Sequence, residues 1–136
     1  MTVHLAGRKF LRAAEARLEA VQLLLNNEFN FEAVYLAGYV AECALKSLLL
    51  TRTPLSRQAE LIRRRFTGRS GHDLNNLRRE LMQLGIFIPA DIVFDLLRVS
   101  QWSTDMRYET GLIPTAEAET FVGSAAAVLK WVKRSL

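Results

Sequence analysis

One cysteine, two histidines and three prolines are all that the 136 residues contain of those types, and each scarcity excludes something. Cys43 is alone and makes no internal disulfide. Set inside the apolar run AVYLAGYVAECALKSLLL (33–50), it reads as a buried thiol in a reducing compartment, so a cytoplasmic location is expected. With so little Cys and His there is no zinc-ligand spacing, and no Gly-rich phosphate loop is present, so neither a metal nor a cofactor is expected. Strand signals are nearly missing too: GIFIP, Gly85 to Pro89, is too short and too isolated to build a sheet. Arg8, Lys9, Arg12, Glu15 and Arg17 break up the opening segment before a signal-peptide core can form. Phe31 to Leu50 has the length of a bilayer span, but it carries Glu42 and Lys46. Each charge costs about 2.5–3.5 kcal/mol at the centre of a membrane helix, so a soluble core helix is expected and no membrane contact.

What is present is apolar and helical. Half the residues are hydrophobic, enough for one domain over residues 1–136 with a core of its own. Amphipathic spacing predicts a helix over 7–27, with Phe10, Leu11, Ala14, Leu18, Val21, Leu24 and Leu25 on one side. A second helix, capped by Asn30, runs over 31–51 and stops before Pro54, and the two form an antiparallel hairpin. Ser56 caps a shorter helix through Phe66 that carries Arg63, Arg64 and Arg65. After the TGRSG loop, a helix over 72–84 closes at Gly85, another spans 89–100, and the last spans 115–134. The fold expected is all-α, an up-and-down antiparallel bundle of four long helices plus one or two short ones.

Three places can carry chemistry. Glu42 and Lys46 lie one turn apart in the favourable order for an ion pair, on a stripe with Tyr35 and Tyr39. That stripe is either a solvated edge with a surface ion pair or a face turned toward a groove or partner. GHDL, Gly71 to Leu74, places His72 and Asp73 at a helix start, where exposed N–H groups attract anions; capping by Ser70, with Asp73 in the first turn, explains the same residues structurally. WSTDMRYETG, Trp102 to Gly111, brings Trp102, Arg107 and Tyr108 into one loop. These can hold a base or a phosphate, or simply pin the loop to the bundle. Between Arg52 and Arg79, eight arginines face Glu60 and Asp73, a net +6 that leaves −2 for the rest of the chain. Such a segment suits phosphate or carboxylate recognition, or is a solvated helix face.

Taken together, AVYLAGYVAECALKSLLL, GHDL and WSTDMRYE followed by an alanine-rich last helix resemble the HEPN family, the higher eukaryotes and prokaryotes nucleotide-binding domain, over roughly Ala14 to Val132. The resemblance implies a small antiparallel helical bundle, commonly a homodimer. It also implies a frequent pairing with a minimal nucleotidyltransferase, in a two-protein, toxin-antitoxin-like system. On this view Glu42, Lys46, His72, Asp73, Trp102, Arg107 and Tyr108 form the ligand site for a nucleotide, an RNA or a partner protein. Many members are ribonucleases that carry an arginine followed a few residues later by a histidine. The formal match here is Arg65 and His72, separated by Phe66 to Gly71 across the TGRSG loop, and no histidine follows Arg107. The resemblance therefore points to the non-catalytic branch, with a metal-independent endoribonuclease using Arg65 and His72 as the alternative.

Overall fold

A computed structural model describes residues 5–67, 69–101 and 111–136. The described residues form an all-α bundle of α1 (Leu5–Asn26), α2 (Asn30–Arg52), α3 (Leu55–Arg65), α4 (Leu74–Gln83), α5 (Ala90–Val99) and α6 (Thr115–Ser135), with a 3₁₀ turn (Arg69–His72) ahead of α4. Three helices have 21 to 23 residues and three have ten or eleven.

α2 is the axis of the bundle. It has apolar residues on every side because it is covered on every side: α1, α4 and α6 pack around it, and Val40, Leu45, Leu48 and Leu50 are fully buried. It is also the one described helix long and apolar enough to span a bilayer, and 83% of its apolar window is buried inside the protein. α1 meets α2 through Gly7, Ala14 and Val21, buried residues spaced by seven that keep one face turned to its neighbour. Near the far end of α2, the Ser47 hydroxyl donates to the Gly7 carbonyl at 2.8 Å, which fixes the antiparallel hairpin. α6 instead runs parallel to α2. Asn30 at the start of α2 donates to the Ile113 carbonyl and the Thr115 hydroxyl at the start of α6, and Arg52 at the end of α2 donates to the Ser135 carbonyl at the end of α6. Ala125, Val128 and Val132 line the buried side of α6. α5 is locked onto α6 by Ser124, which accepts from Arg98 at 2.7 Å and donates to Asp95 at 2.9 Å.

Asn30, expected to cap α2, is its first helical residue; Phe29 holds the cap position without a side-chain bond. The amide of Asn30 is used to join two helix starts that lie far apart in sequence, a contact invisible to local pattern. Pro54 and not Ser56 precedes α3, since proline at that point presets the backbone just before the helix begins.

Two helices end in the same way. After α4, Gly85 has φ +79°, its N–H donates to the Met82 carbonyl and that of Ile86 to the Leu81 carbonyl. After α1, Glu28 has φ +64°, its N–H donates to Leu25 and that of Phe29 to Leu24. This is the left-handed Schellman termination, which glycine adopts without strain. At Glu28 a side chain occupies a backbone region that costs an L-residue about 1–2 kcal/mol. Glu28→Gly is expected to raise unfolding stability by about 0.5–1 kcal/mol, the relief of strain exceeding the added chain entropy, as read from the urea midpoint at unchanged slope.

Candidate functional site

The charged pair in the middle of α2 is not on the surface. Glu42 and Lys46 are 4% and 3% exposed, and the Lys46 ammonium donates to Glu42 Oε2 at 2.9 Å. Helical spacing brings the two together, and the folded chain then closes over them. A buried ion pair repays its desolvation only if the remaining polar capacity of each group is met. For Glu42 the second oxygen is met from outside its helix: Oε1 lies 2.9 Å from His72 Nδ1. A carboxylate only accepts, so Nδ1 carries the hydrogen, and Nε2 is the nitrogen whose protonation changes the charge on the ring. For Lys46 the remaining environment is aromatic. Its Nζ stands 5.1 Å from the Phe66 ring centre and 5.8 Å from that of Phe10, and those two rings meet edge to face at 5.5 Å. The negative ring faces stabilise the ammonium where water is excluded.

Four separate pieces of the chain thus converge: Phe10 from α1, Glu42 and Lys46 from α2, Phe66 at the end of α3, and His72 from the 3₁₀ turn. Gly71 makes the convergence possible. A Cβ at that position would fall 2.4 Å from the carbonyl carbon of Phe66 and 2.6 Å from its oxygen, so only glycine lets the turn cross the end of α3 so closely. The residue after it is then delivered to Glu42. His72 keeps 41% of its side chain exposed, so the cluster is a buried carboxylate and ammonium presenting a half-open imidazole. The ring of Tyr39 flanks it edge to face at 6.4 Å, and the Tyr39 hydroxyl is 3.3 Å from that of Tyr35. The stripe read from the sequence is therefore continuous with the histidine. Close by in α2, burial pushes the Cys43 thiol above its ordinary pKa, with Arg17 pulling the other way; the neutral thiol is an unreactive core residue.

Asp73 has a structural task. It is the N-cap of α4, accepting at Oδ1 from the N–H groups of Asn75 and Asn76, so Asp73 and not Ser70 starts that helix and His72 lies ahead of it. Arg65 is engaged elsewhere, its Nε 3.0 Å from Glu80 Oε1, while His72 is held by Glu42. Other arginines of the basic segment are also tied within the chain: Arg64 to Glu60, Arg79 to Asn76 and Arg52 to Ser135. Some of these surround an open cleft of about 200 Å³ between α3 and α4, lined by Leu49, Arg57, Leu61, Arg64 and Arg65 among others. Among the described residues no group of His, Cys, Asp and Glu is arranged to hold a metal ion. Trp102, Arg107 and Tyr108 lie outside the described residues. Phe10, Phe66 and Gly71 are the members of the site that sequence reasoning missed. Periodicity places Phe10 only on the apolar side of the first helix, and the glycine of the TGRSG loop was the available sign of a close approach.

Lys46→Met leaves the Glu42 carboxylate buried without its cation and is expected to cost about 3–5 kcal/mol of stability. The double variant E42Q/K46M strands no charge and is expected to recover much of that loss. Urea unfolding of the two variants beside the wild type measures both effects.

The comparisons with known proteins agree with this architecture. The crystal structure of TT1696 from Thermus thermophilus superposes with a TM-score of 0.76 over 98% of this chain and 100% of that one, at 22% sequence identity; at that identity the likeness speaks for the fold. No curated protein sequence matches significantly. The family model of the HEPN domain matches residues 8–135, nearly the whole chain. That match makes the chain a member of the HEPN domain family, and the buried Glu42–Lys46 pair lies within the matched residues, at the centre of the second helix.

Proposed function

We propose that the chain is a nucleotide- or partner-binding HEPN module, non-catalytic by itself, that works in the cytoplasm as a homodimer beside a minimal nucleotidyltransferase in a two-protein, toxin-antitoxin-like system. The observation that carries the binding part is the Glu42–Lys46–His72 cluster. Glu42 is engaged at both oxygens and fixes the imidazole by Nδ1, so a half-exposed ring with a preset orientation stands at the surface. Such a ring offers Nε2 to a phosphate oxygen or to a polar group of a partner protein, without the entropy cost of ordering the side chain first. Lys46 acts behind it as a positioning residue, since its ammonium is enclosed by Phe10 and Phe66. Asp73 starts α4 next to the histidine, and this reading adds Trp102, Arg107 and Tyr108 on their residue types alone, aromatic rings and a planar cation suited to a base or a phosphate. The non-catalytic reading is favoured by Arg65, which pairs with Glu80 where cleavage would need it on the scissile phosphate beside His72.

One observation favours the alternative, a metal-independent endoribonuclease. A carboxylate that holds Nδ1 of a histidine leaves Nε2 as a general base or acid, which RNA cleavage through the 2′-hydroxyl requires. That reading needs Arg65 to leave Glu80 when RNA binds.

Incubating a structured RNA in EDTA with the wild type and with His72→Ala separates the two. Both proteins are expected to leave the RNA intact; cleavage by the wild type and not by the variant would transfer the assignment to Arg65 and His72. Arg107→Ala is expected to weaken binding of a nucleoside triphosphate or of the nucleotidyltransferase by about tenfold at a nearly unchanged Tm. Calorimetric titration and thermal unfolding read the two quantities, and loss of folding would make Arg107 structural.

A further inference from the structure

Away from Glu42 and His72, a second concavity lies between α1 and α6. It is a shallow, open concavity of about 320 Å³ lined by Leu18 of α1 and by Ala126, Leu129, Lys130, Lys133 and Arg134 of α6. The floor is aliphatic: Leu129 is 4% exposed, and Leu18 and Ala126 are half-buried. The three cations stand at the rim, exposed, with no carboxylate in the lining. Two features of the chain offset part of that charge. The C-terminus of α6 carries the equivalent of about half a negative charge from its peptide dipoles. Glu15 Oε2 lies 3.3 Å from Lys133 Nζ, in a pair whose partners are each about half exposed and which water therefore screens. Positive charge remains in excess around an apolar floor.

We propose that this groove docks an acidic amphipathic helix of a partner protein, its apolar side chains on Leu18, Ala126 and Leu129 and its carboxylates on Lys130, Lys133 and Arg134. The shape fits a helix. α1 is antiparallel to α2 and α2 is parallel to α6, so α1 and α6 are antiparallel neighbours with a channel between them that a third helix can follow. Residues 126, 129, 130 and 133 occupy one face of α6 over two turns, the repeat with which helix-in-groove recognition places its anchors. The alanine at 126 leaves room for a larger side chain from the incoming helix. Charge complementarity then selects an acidic helix over a neutral or basic one. The floor carries no aromatic ring on which a base would stack, which disfavours RNA. None of its apolar lining residues is exposed, so it offers no apolar anchor to a lipid surface.

The test uses the full chain and a fluorescein-labelled synthetic helix of roughly 18 residues, with leucines on one face and glutamates flanking them, beside a control in which lysine replaces each glutamate. Fluorescence anisotropy is expected to give a Kd on the order of 10 µM for the acidic peptide, rising with salt, and no binding of the control. Amide NMR shifts on binding are expected around Leu18 and residues 126–134. The double variant K130E/K133E is expected to weaken the acidic peptide about tenfold or more. K130Q/K133Q keeps the fold free of reversed charges and is expected to weaken it less, while R57Q/R64Q, at the α3–α4 cleft, leaves it unchanged. Equal affinity for both peptides, unchanged affinity in the Glu and Gln variants, or shifts centred on His72 would overturn the proposal. So would a failure of the acidic peptide to bind while RNA or anionic phosphatidylserine vesicles bind and lose affinity in K130E/K133E.

Discussion

A carboxylate sealed into the middle of an apolar helix has to be answered, and much of the local architecture is the answer. Glu42 makes two demands because it has two oxygens. The first is met inside α2, where Lys46 is placed by helical spacing alone. The second demand reaches thirty residues along the chain to His72, and it can be met only if α3 ends at the right place and the turn behind it passes close over Phe66. Lys46 in turn brings Phe10 and Phe66 together. An apolar pair of the same volume at 42 and 46 would fill the core at no greater energetic cost, but it would not hold an imidazole at the surface. The charged pair is therefore better understood as a device for orientation than as a source of stability.

The bundle around it is ordinary in its energetics, with α2 enclosed by α1, α4 and α6 and the leucines of its second half fully buried. Its economy lies in the ties at the ends. Asn30 and Arg52 join the two ends of α2 to those of α6, and the buried Gln58 donates to the Leu50 and Thr53 carbonyls, closing the last turn of α2 as the chain leaves it. Parallel alignment of α2 and α6 requires the chain to travel back along the bundle between them, and α3 with the turn after it begins that return, from Gln58 at the end of α2 to His72 opposite Glu42. The return leg is where the histidine sits.

Local physics made the helices legible. The apolar period of α1, the unbroken core of α2, the glycine after α4 and the proline before α5 each place an element from a few neighbouring residues, while the family resemblance rested on the core of α2 together with GHDL, WSTDMRYE and the alanine-rich last helix. The Glu42 and Lys46 pair was legible as a pair, because four residues is one turn. Its depth was not, since burial depends on what packs over a helix and not on the helix itself. The link from Glu42 to His72 was hidden for the same reason, and so was the aromatic enclosure of Lys46, whose two rings come from residues 10 and 66. Arg65 illustrates the converse. Its spacing from His72 suggested a functional pair, whereas the fold gives it Glu80, a partner from the next helix that charge counting along the sequence had no means of selecting.

Gly71 gives the site an unusual kind of dependence. The helices tolerate many sequences as long as apolar residues recur at the right intervals, but the crossing over Phe66 tolerates no side chain at all. Stability of the bundle and assembly of the site are consequently written in different alphabets, one redundant and one with a single letter. A chain could drift far in its leucines and alanines and keep this histidine on its carboxylate, and another could keep nearly every core residue yet, with one added methyl group at this corner, have to take another path past α3 and leave Glu42 facing an empty place.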